Sequence, residues 1–428
     1  MSEQNLEINS ELADQHKPKF DGGSFTIDHL SPSPNGFEVV TDKSSRRRNS
    51  TPQGREPLPF TQEQLATLKN AIPGQMKYAK GNDAQDTLKK LRSAQSNDTS
   101  KETREEAYIQ HEEKRRLYQE RMTPHVGITS VQQEANTLFI DIKPADYPVY
   151  RTFAKPSLPP EVVEYASAMT GTDIVIVTKD QRVILQNRSD RNTPYGGILG
   201  VSAAGYLQGR MYHPTPEEQP TQERIGTLVP INTEYVKANI LREMKEEIGL
   251  DEKYLDTVRI TGFVKDKVQP HNGILLFGTT SLSAEQVRAE AQKASRNLQL
   301  SDVEFMEKFI DIPATPEAIS ILVTQIKCPF PPDQYGAVIL AGYNMVLEQK
   351  GRDTADNWIR DLEPKVKQNY QEINSIVAQY YEKHPAVLAH IPQGRPPRNP
   401  KGYEPSYLPS EQGLPDVMSE LKRVGLIS

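Results

Sequence analysis

The sequence lacks the features of a disulfide-stabilised, membrane-embedded or strongly basic protein. Its 428 residues include a single cysteine, which excludes an intramolecular disulfide framework and a metal site built from clustered cysteines. No apolar stretch is long enough for a transmembrane helix, and no signal-peptide-like segment opens the chain. The formal net charge of −6 gives no general attraction to nucleic acids. We therefore expect a cytoplasmic protein with no membrane span, and we do not expect nucleic acid as its partner.

Hydrophobic residues are also too few for uniform packing of the whole chain. They make up 36% of the sequence, which contains 33 prolines, and the mean hydropathy is −0.65. We expect a mostly disordered polar region over residues 1–100 and a charged helix or linker over 101–128. An ordered domain is predicted over 129–350, followed by a helical and proline-rich extension over 351–428.

Within 129–350, short apolar runs rich in β-branched residues alternate with segments of helical periodicity. This alternation predicts an α/β fold. Lys179–Gln181 joins two of the runs and predicts a β-hairpin. Pro364 is expected to break or begin a longer helix that ends near Glu382. The predicted strands cover 137–142, 173–178, 182–186, 198–203, 258–264 and 273–279, and the predicted helices cover 284–296, 315–327 and 335–349.

The segment from residue 232 to residue 250 has well-marked helix boundaries. Asn232 is a good N-cap, and Ile231 and Val236 occupy the positions of a hydrophobic staple. Gly249 stands where a helix end favours a left-handed residue, with Leu250 as its apolar contact. The apolar positions fall within one arc of the helix and predict a buried face: Val236, Ile240, Leu241, Met244 and Ile248.

Three glutamates lie beside that apolar face. The spacing of Glu243, Glu246 and Glu247 brings their carboxylates to one side of the helix. Like charges this close repel, so the arrangement favours a counter-charge, and Mg²⁺ or Mn²⁺ with oxygen ligands would supply it. The alternative is a solvated acidic edge near a helix C-terminus, where glutamates are mildly unfavourable. We predict a metal site.

The stretch Arg242–Leu250 (REMKEEIGL) resembles the second half of the Nudix box. Glu234 lies eight residues before Arg242, which also matches the spacing in that family. The resemblance covers about residues 130–350 and implies an α/β/α sandwich with a mixed β-sheet. It also implies a hydrolase that cleaves a diphosphate bond in a nucleoside diphosphate-linked small molecule, such as a nucleotide sugar, ADP-ribose or a dinucleotide.

The first half of the box departs from the family pattern. Leu228 stands where a glycine is expected, and the better match is Gly205, within the segment SAAGYLQG. On that alignment an insertion of 23 residues, 210–232, separates the glycine from the helix. The insertion is either a lid or specificity element beside the helix or a passive surface excursion.

The resemblance also implies roles for the residues of the helix. Glu246 and Glu247 would be the principal metal ligands, and Glu243 would share the metal. Arg242 would orient a neighbouring glutamate through a bidentate pair. Glu234 would steady the start of the helix or add a further ligand.

Residues outside the helix complete the implied site. A backbone carbonyl near Gly205 would finish the metal shell, beside the substrate. Glu304 and His271 are candidates for the general base, and His271 is also a candidate for substrate binding. A histidine of a surface loop is the favoured interpretation of His271. Many relatives are dimers, so a homodimer is one expected assembly.

Other functions remain open on the residues alone. A catalytically altered binding or regulatory module is the main alternative, because the box is split and Asn239 stands where the family often has a small residue. An isomerase related to isopentenyl diphosphate isomerase would need an additional cysteine or acid pair, and Cys328 lies far beyond the box. RNA decapping would want a basic groove, and the only dense basic run is Arg46–Arg48.

Overall fold

The computed structural model describes residues 19–41, 125–145, 169–187, 199–209, 228–267, 271–297, 309–327, 330–383 and 417–427. Several features singled out above lie outside these ranges: Arg46–Arg48, residues 101–124 of the predicted charged helix or linker, residues 210–227 of the insertion, the candidate base Glu304 and Cys328.

Twelve strands and six α-helices make up this described part of the chain. The strands are β1 (Phe20–Asp21), β2 (Phe25–Leu30), β3 (Glu38–Thr41), β4 (His125–Glu134), β5 (Thr137–Ala145), β6 (Met169–Val177), β7 (Arg182–Asn187), β8 (Leu199–Gly200), β9 (Ala203–Tyr206), β10 (Leu255–Asp266), β11 (His271–Thr280) and β12 (Phe309–Pro313). The helices are α1 (Thr233–Ile248), α2 (Ala284–Asn297), α3 (Pro316–Gln325), α4 (Pro332–Lys350), α5 (Arg352–Lys383) and α6 (Val417–Arg423).

The strands form one mixed sheet with β6 near its centre. Its main path runs β1-β2-β10-β11-β6-β4-β5-β3, with β7, β8, β9 and β12 attached beside it. One edge of β6 pairs in parallel with β11 along its length. The other edge pairs in turn with Gly127 near the start of β4, with β9 and with β7, all antiparallel. Strand β9 is thereby held against the middle of β6.

Alternate residues of a strand point to opposite faces of the sheet. Helices cover both faces, so side chains of the same strand enter two different cores. Ile174 and Ile176 of β6 face the core that contains the buried side of α1 and the start of α2. Val175 and Val177 face the other core, which contains α3, α4, the first half of α5 and α6. This three-layer arrangement with a mixed sheet confirms the predicted α/β/α fold class.

Residues 19–41 belong to the sheet, which corrects the expectation of disorder for this part of 1–100. Strand β2 pairs with β10 and β3 pairs with β5. Five apolar side chains of this segment are buried: Phe20, Phe25, Ile27, Phe37 and Val39. Burial of each of these side chains stabilises the fold by about 1.5–3 kcal/mol. The average composition of residues 1–100 conceals this short apolar segment. Residues 125–128, predicted as linker, likewise begin β4.

Most predicted elements of the central region are confirmed. The hairpin of β6 and β7 is present, with Gln181 at φ 56 in its turn. The predicted strand over 198–203 is wrong in extent, since the chain forms two short strands, β8 and β9. Helix α5 continues through Pro364 instead of breaking there. A proline inside a helix costs about 3 kcal/mol, but buried Ile359, Leu362 and Val366 hold both sides of it in the core.

The segment after α4 packs on the same core as the predicted domain. Helix α5 contacts α3 and α4, and Val417 and Leu421 of α6 are buried in the same cluster. The division into domains at residues 128 and 350 stays a prediction. Among the residues described, none of the helices is both long and apolar enough to cross a membrane.

Candidate functional site

Helix α1 begins and ends where the sequence predicts. The Asn232 side chain accepts a hydrogen bond from the Tyr235 amide at 2.9 Å. Gly249 adopts the left-handed conformation with φ 65, and its amide donates to the Met244 carbonyl. Val236, Ile240, Met244 and Ile248 are buried, and Leu241 is partly buried against them. These contacts set the rotation of α1, so they also fix the side to which its glutamates point.

Strand β3 holds the start of α1, a contact that the sequence does not reveal. The Val39 amide donates to the Thr233 hydroxyl at 2.8 Å. The buried Thr41 hydroxyl donates to the Ile231 carbonyl and accepts from the Ile231 amide, both at 2.8 Å. The N-terminal segment therefore fixes the entry of the helix that carries the candidate site.

Arg242 brings two of the three predicted glutamates together. Its guanidinium donates one hydrogen bond to Glu243 and another, of 2.7 Å, to Glu246. The Glu243 side chain is 14% exposed and that of Glu246 is 54% exposed. The resemblance implies that Arg242 orients one neighbouring glutamate, and the structure places it between two.

Glu247 faces the sheet rather than Arg242. Its carboxylate accepts from the Ala204 amide at 2.9 Å and from the Gln186 side chain at 3.4 Å. The residue is 9% exposed. A buried carboxylate needs hydrogen-bond donors to offset its lost hydration, and β9 supplies one of them from its backbone.

Gly205 lies directly under Glu243. A Cβ atom at Gly205 would stand 2.2 Å from Cδ and 2.3 Å from Oε1 of Glu243. No pair of carbon atoms can approach so closely without contact strain, so a side chain at residue 205 would displace the carboxylate. The structure therefore brings the predicted glycine and a predicted metal ligand together, across the insertion that separates them in sequence.

Glu234 lies apart from the other predicted site residues. It stands nine residues before Glu243, which is about 13 Å along the helix axis. Its side chain is 79% exposed and pairs with Lys237 at 3.4 Å. This position fits a role at the start of the helix and does not place Glu234 beside the three glutamates.

His271 is buried, which corrects its interpretation as a histidine of a surface loop. It opens β11, and its Nδ1 lies 3.2 Å from a carboxylate oxygen of Asp333 in the first turn of α4. Burial lowers the pKa of His271, although the Asp333 charge acts in the opposite direction. Its Nε2 is sealed from solvent and makes no hydrogen bond to the described residues. A base must reach the water that it deprotonates, and no such route to Nε2 is visible among the residues described, so the roles of His271 as a general base and in substrate binding stay predictions.

A row of aromatic rings connects His271 to the site. Tyr206 contacts His271 edge to face, with ring centroids 5.6 Å apart, and contacts His125 in the same way at 5.8 Å. Burial, together with the nearby Arg242 charge, lowers the pKa of His125 to about 4. The sequence offers no signal for His125, because its neighbours come from α1 and β9 and lie far from it along the chain.

The three glutamates do not form a ready-made metal site. Across the ranges described, no three His, Cys, Asp or Glu side chains are grouped so that they could hold a metal ion. The donor atoms are still of the kind that Mg²⁺ prefers, namely carboxylate and carbonyl oxygens. The missing side chain at Gly205 also leaves the space that Glu243 occupies. A cation bound here would therefore compete with Arg242 for Glu243 and Glu246.

Comparisons with known proteins add little to this geometry. No protein-family model matches the sequence, and no curated protein matches it. The solved structure of DR0079 from Deinococcus radiodurans is 11% identical, with a TM-score of 0.24, over 40% of this chain and 80% of that one. The MutT protein from Methanosarcina mazei Go1 is 10% identical, with a TM-score of 0.20, over 47% of this chain and 96% of that one. Matches at this level carry no argument about activity.

Proposed function

We propose that this chain is a Mg²⁺-dependent hydrolase that cleaves a diphosphate bond in a nucleoside diphosphate-linked small molecule, and that Mn²⁺ can replace Mg²⁺. The observation that supports this most is the contact of Glu243 with Gly205. It joins strand β9, which contains Gly205, to helix α1, which carries the three glutamates. These are the two parts of the motif that the insertion separates in sequence. The residues around the contact are those that the Nudix resemblance requires.

The carboxylates and the arginine have distinct roles in this proposal. Glu243, Glu246 and Glu247 would hold the cation, together with the carbonyl of Gly205. When bound, the cation neutralises charge on the diphosphate oxygens and makes a bound water more acidic. The Arg242 guanidinium, which binds two carboxylates here, has the planar shape that also suits two phosphate oxygens.

Glu247 is the ligand whose position is most strongly determined. Its hydrogen bond from Ala204 ties it to β9, next to Gly205 in the chain. The Glu246 side chain is more exposed, and its carboxylate accepts a hydrogen bond from Arg242. We therefore expect Glu247 to be the least tolerant of substitution and Glu246 to adjust its position when a cation binds.

A binding or regulatory module without turnover is the second candidate. The observation that favours it is that the carboxylates have protein partners and do not converge. Such a module would bind a nucleotide-like molecule without cleaving it. The two candidates agree on the ligand and differ in whether water attacks it.

A substrate panel distinguishes the two candidates. The purified full chain is incubated with nucleotide sugars, ADP-ribose and dinucleotides, with Mg²⁺, with Mn²⁺ and with EDTA, and phosphate-containing products are quantified. The comparison variant is Glu246→Gln/Glu247→Gln, and Lys245→Ala, at a side chain of the same helix that is 69% exposed, is the matched control.

The hydrolase predicts cation-dependent cleavage of at least one class, which the double variant loses and the control retains. Binding of a panel compound without cleavage would establish the module instead. Cleavage that persists in EDTA and in the double variant would refute the proposed site.

A further inference from the structure

Because of the insertion, it is not evident from the sequence what fixes the position of Gly205 relative to helix α1. In the family pattern a short loop joins the glycine to the helix, whereas here 23 additional residues separate them. A long connection restrains the relative position of its two ends only weakly. Contacts within the fold must therefore supply the restraint.

Asn239 makes such contacts from the buried face of α1. The residue is 7% exposed. Its Nδ2 donates to the Thr172 hydroxyl of β6 at 3.0 Å, and also lies 3.4 Å from the Tyr206 carbonyl of β9. Its Oδ1 accepts from the Gln208 amide at 3.3 Å. The Gln208 amide can only donate, so these partners also determine the orientation of the Asn239 amide.

Thr172 passes this restraint on to Gly205. Its hydroxyl accepts from Asn239 and donates to the Gly205 carbonyl at 3.2 Å. In the sheet Thr172 is also the register partner of Gly205. A single chain of hydrogen bonds thus runs from α1 through β6 to the carbonyl of Gly205, the residue over which Glu243 lies.

An asparagine is otherwise unfavourable at this position. A buried amide is costly unless its hydrogen bonds are satisfied, and the nearest buried positions of α1, Val236, Ile240 and Met244, are aliphatic or methionine. Asn239 is satisfied on both its oxygen and its nitrogen. It also precedes Glu243 by four residues and so lies on the same side of the helix.

We propose that Asn239 and Thr172 are positioning residues, which hold Glu243 over Gly205 in place of the short loop that the insertion has removed. The proposal rests on the proposed function for its consequence, because the register that it fixes is that of the cation site. Neither residue is proposed to touch the substrate.

The test uses a matched pair of variants at residue 172. Thr172→Val keeps the shape of the side chain and removes the hydroxyl, whereas Thr172→Ser keeps the hydroxyl. Three quantities are measured on the full chain: the Mn²⁺ dissociation constant by electron paramagnetic resonance, kcat and KM on the best panel substrate, and hydrogen exchange of the α1 amides. Urea unfolding confirms that each variant is folded under the conditions used.

We expect Thr172→Val to weaken Mn²⁺ binding by about three- to tenfold, the range of one hydrogen bond. It should lower kcat more than it changes KM, and it should speed exchange in α1. Thr172→Ser should stay within about twofold of the wild type in all three, and Asn239→Ala should reproduce Thr172→Val.

Two results would overturn the inference, and they are distinguishable from each other. If folded Thr172→Val binds Mn²⁺ and turns over substrate like the wild type, the hydrogen-bond chain is only structural. If the wild type neither binds Mn²⁺ nor cleaves any panel compound, the proposed function fails and the positioning role fails with it. Faster α1 exchange in Thr172→Val would then still show that Thr172 anchors the helix.

Discussion

Replacing Gly205 by alanine tests the contact on which the candidate site depends. The added Cβ would lie 2.2–2.5 Å from Cδ, Oε1 and Cγ of Glu243. Those atoms include the middle of the side chain, which is 14% exposed and bound to Arg242, so it cannot simply rotate away. Overpacking of this kind costs about 1–3 kcal/mol. The gain from replacing a strand glycine by alanine is about 0.5–1 kcal/mol, so we expect a net destabilisation of up to about 2.5 kcal/mol.

A double-mutant cycle separates the clash from other effects of the substitution. Gly205→Ala, Glu243→Ala and the double variant are unfolded in urea, and the free energies of unfolding are compared. If the clash is with Glu243, Gly205→Ala is neutral or slightly stabilising once Glu243 is alanine. The coupling energy should then be about 1–3 kcal/mol, in the range found for residues in contact.

Activity provides the second arm of the same experiment. Gly205→Ala should lose cation-dependent cleavage, because Glu243 is displaced, and the double variant should remain inactive although its stability is restored. Additive stability effects, within about 0.5 kcal/mol, would refute the contact. Full activity in Gly205→Ala would refute its importance for the site.

Three further predictions follow from the same contacts. Arg242→Ala should lower turnover but reduce stability by less than about 1 kcal/mol, because its ion pairs are partly exposed; urea unfolding and initial rates check this. Thr41→Val should cost about 1–3 kcal/mol, because the buried Ile231 amide loses its acceptor although the Ile231 carbonyl keeps the Thr41 amide as a donor, whereas Thr41→Ser should cost less. Stability should fall as pH drops from about 6.5 towards 4, because the folded chain disfavours protonation of His125, whose pKa is about 4 against a usual 6.5. His125→Gln should flatten this part of the stability profile, and an unchanged slope would contradict the assignment.

The start, the end and the buried face of helix α1 could be predicted from the sequence because the signals for them are local. Asn232 and Gly249 act on backbone groups within one turn of the helix, so their effect is present in the sequence. The orientation of the buried face follows from periodicity alone, and the side on which Glu243 stands follows from it. The contact of Glu243 with Gly205 agrees with the alignment, which the insertion would otherwise have left without support.

The missed features depend on partners distant in sequence or on averaged composition. Residues 19–41 are polar enough on average to predict disorder, but their apolar residues alternate and complete the sheet. His271 is buried because Asp333, 62 positions later, comes to lie beside it. The continuation of α5 through Pro364 depends on packing on α3 and α4, which no local signal reports.

The most direct test of the central claim is the origin of the oxygen in the products. The full chain and Glu247→Gln are incubated in water enriched in ¹⁸O with Mg²⁺ and the best panel substrate, and the products are analysed by mass spectrometry. The account predicts one ¹⁸O atom in one of the two phosphate-containing products of the wild type, and no cleavage by the variant. Unlabelled products would contradict hydrolysis. Equal labelling in the products of Glu247→Gln would contradict the assignment of hydrolysis to the glutamates of α1.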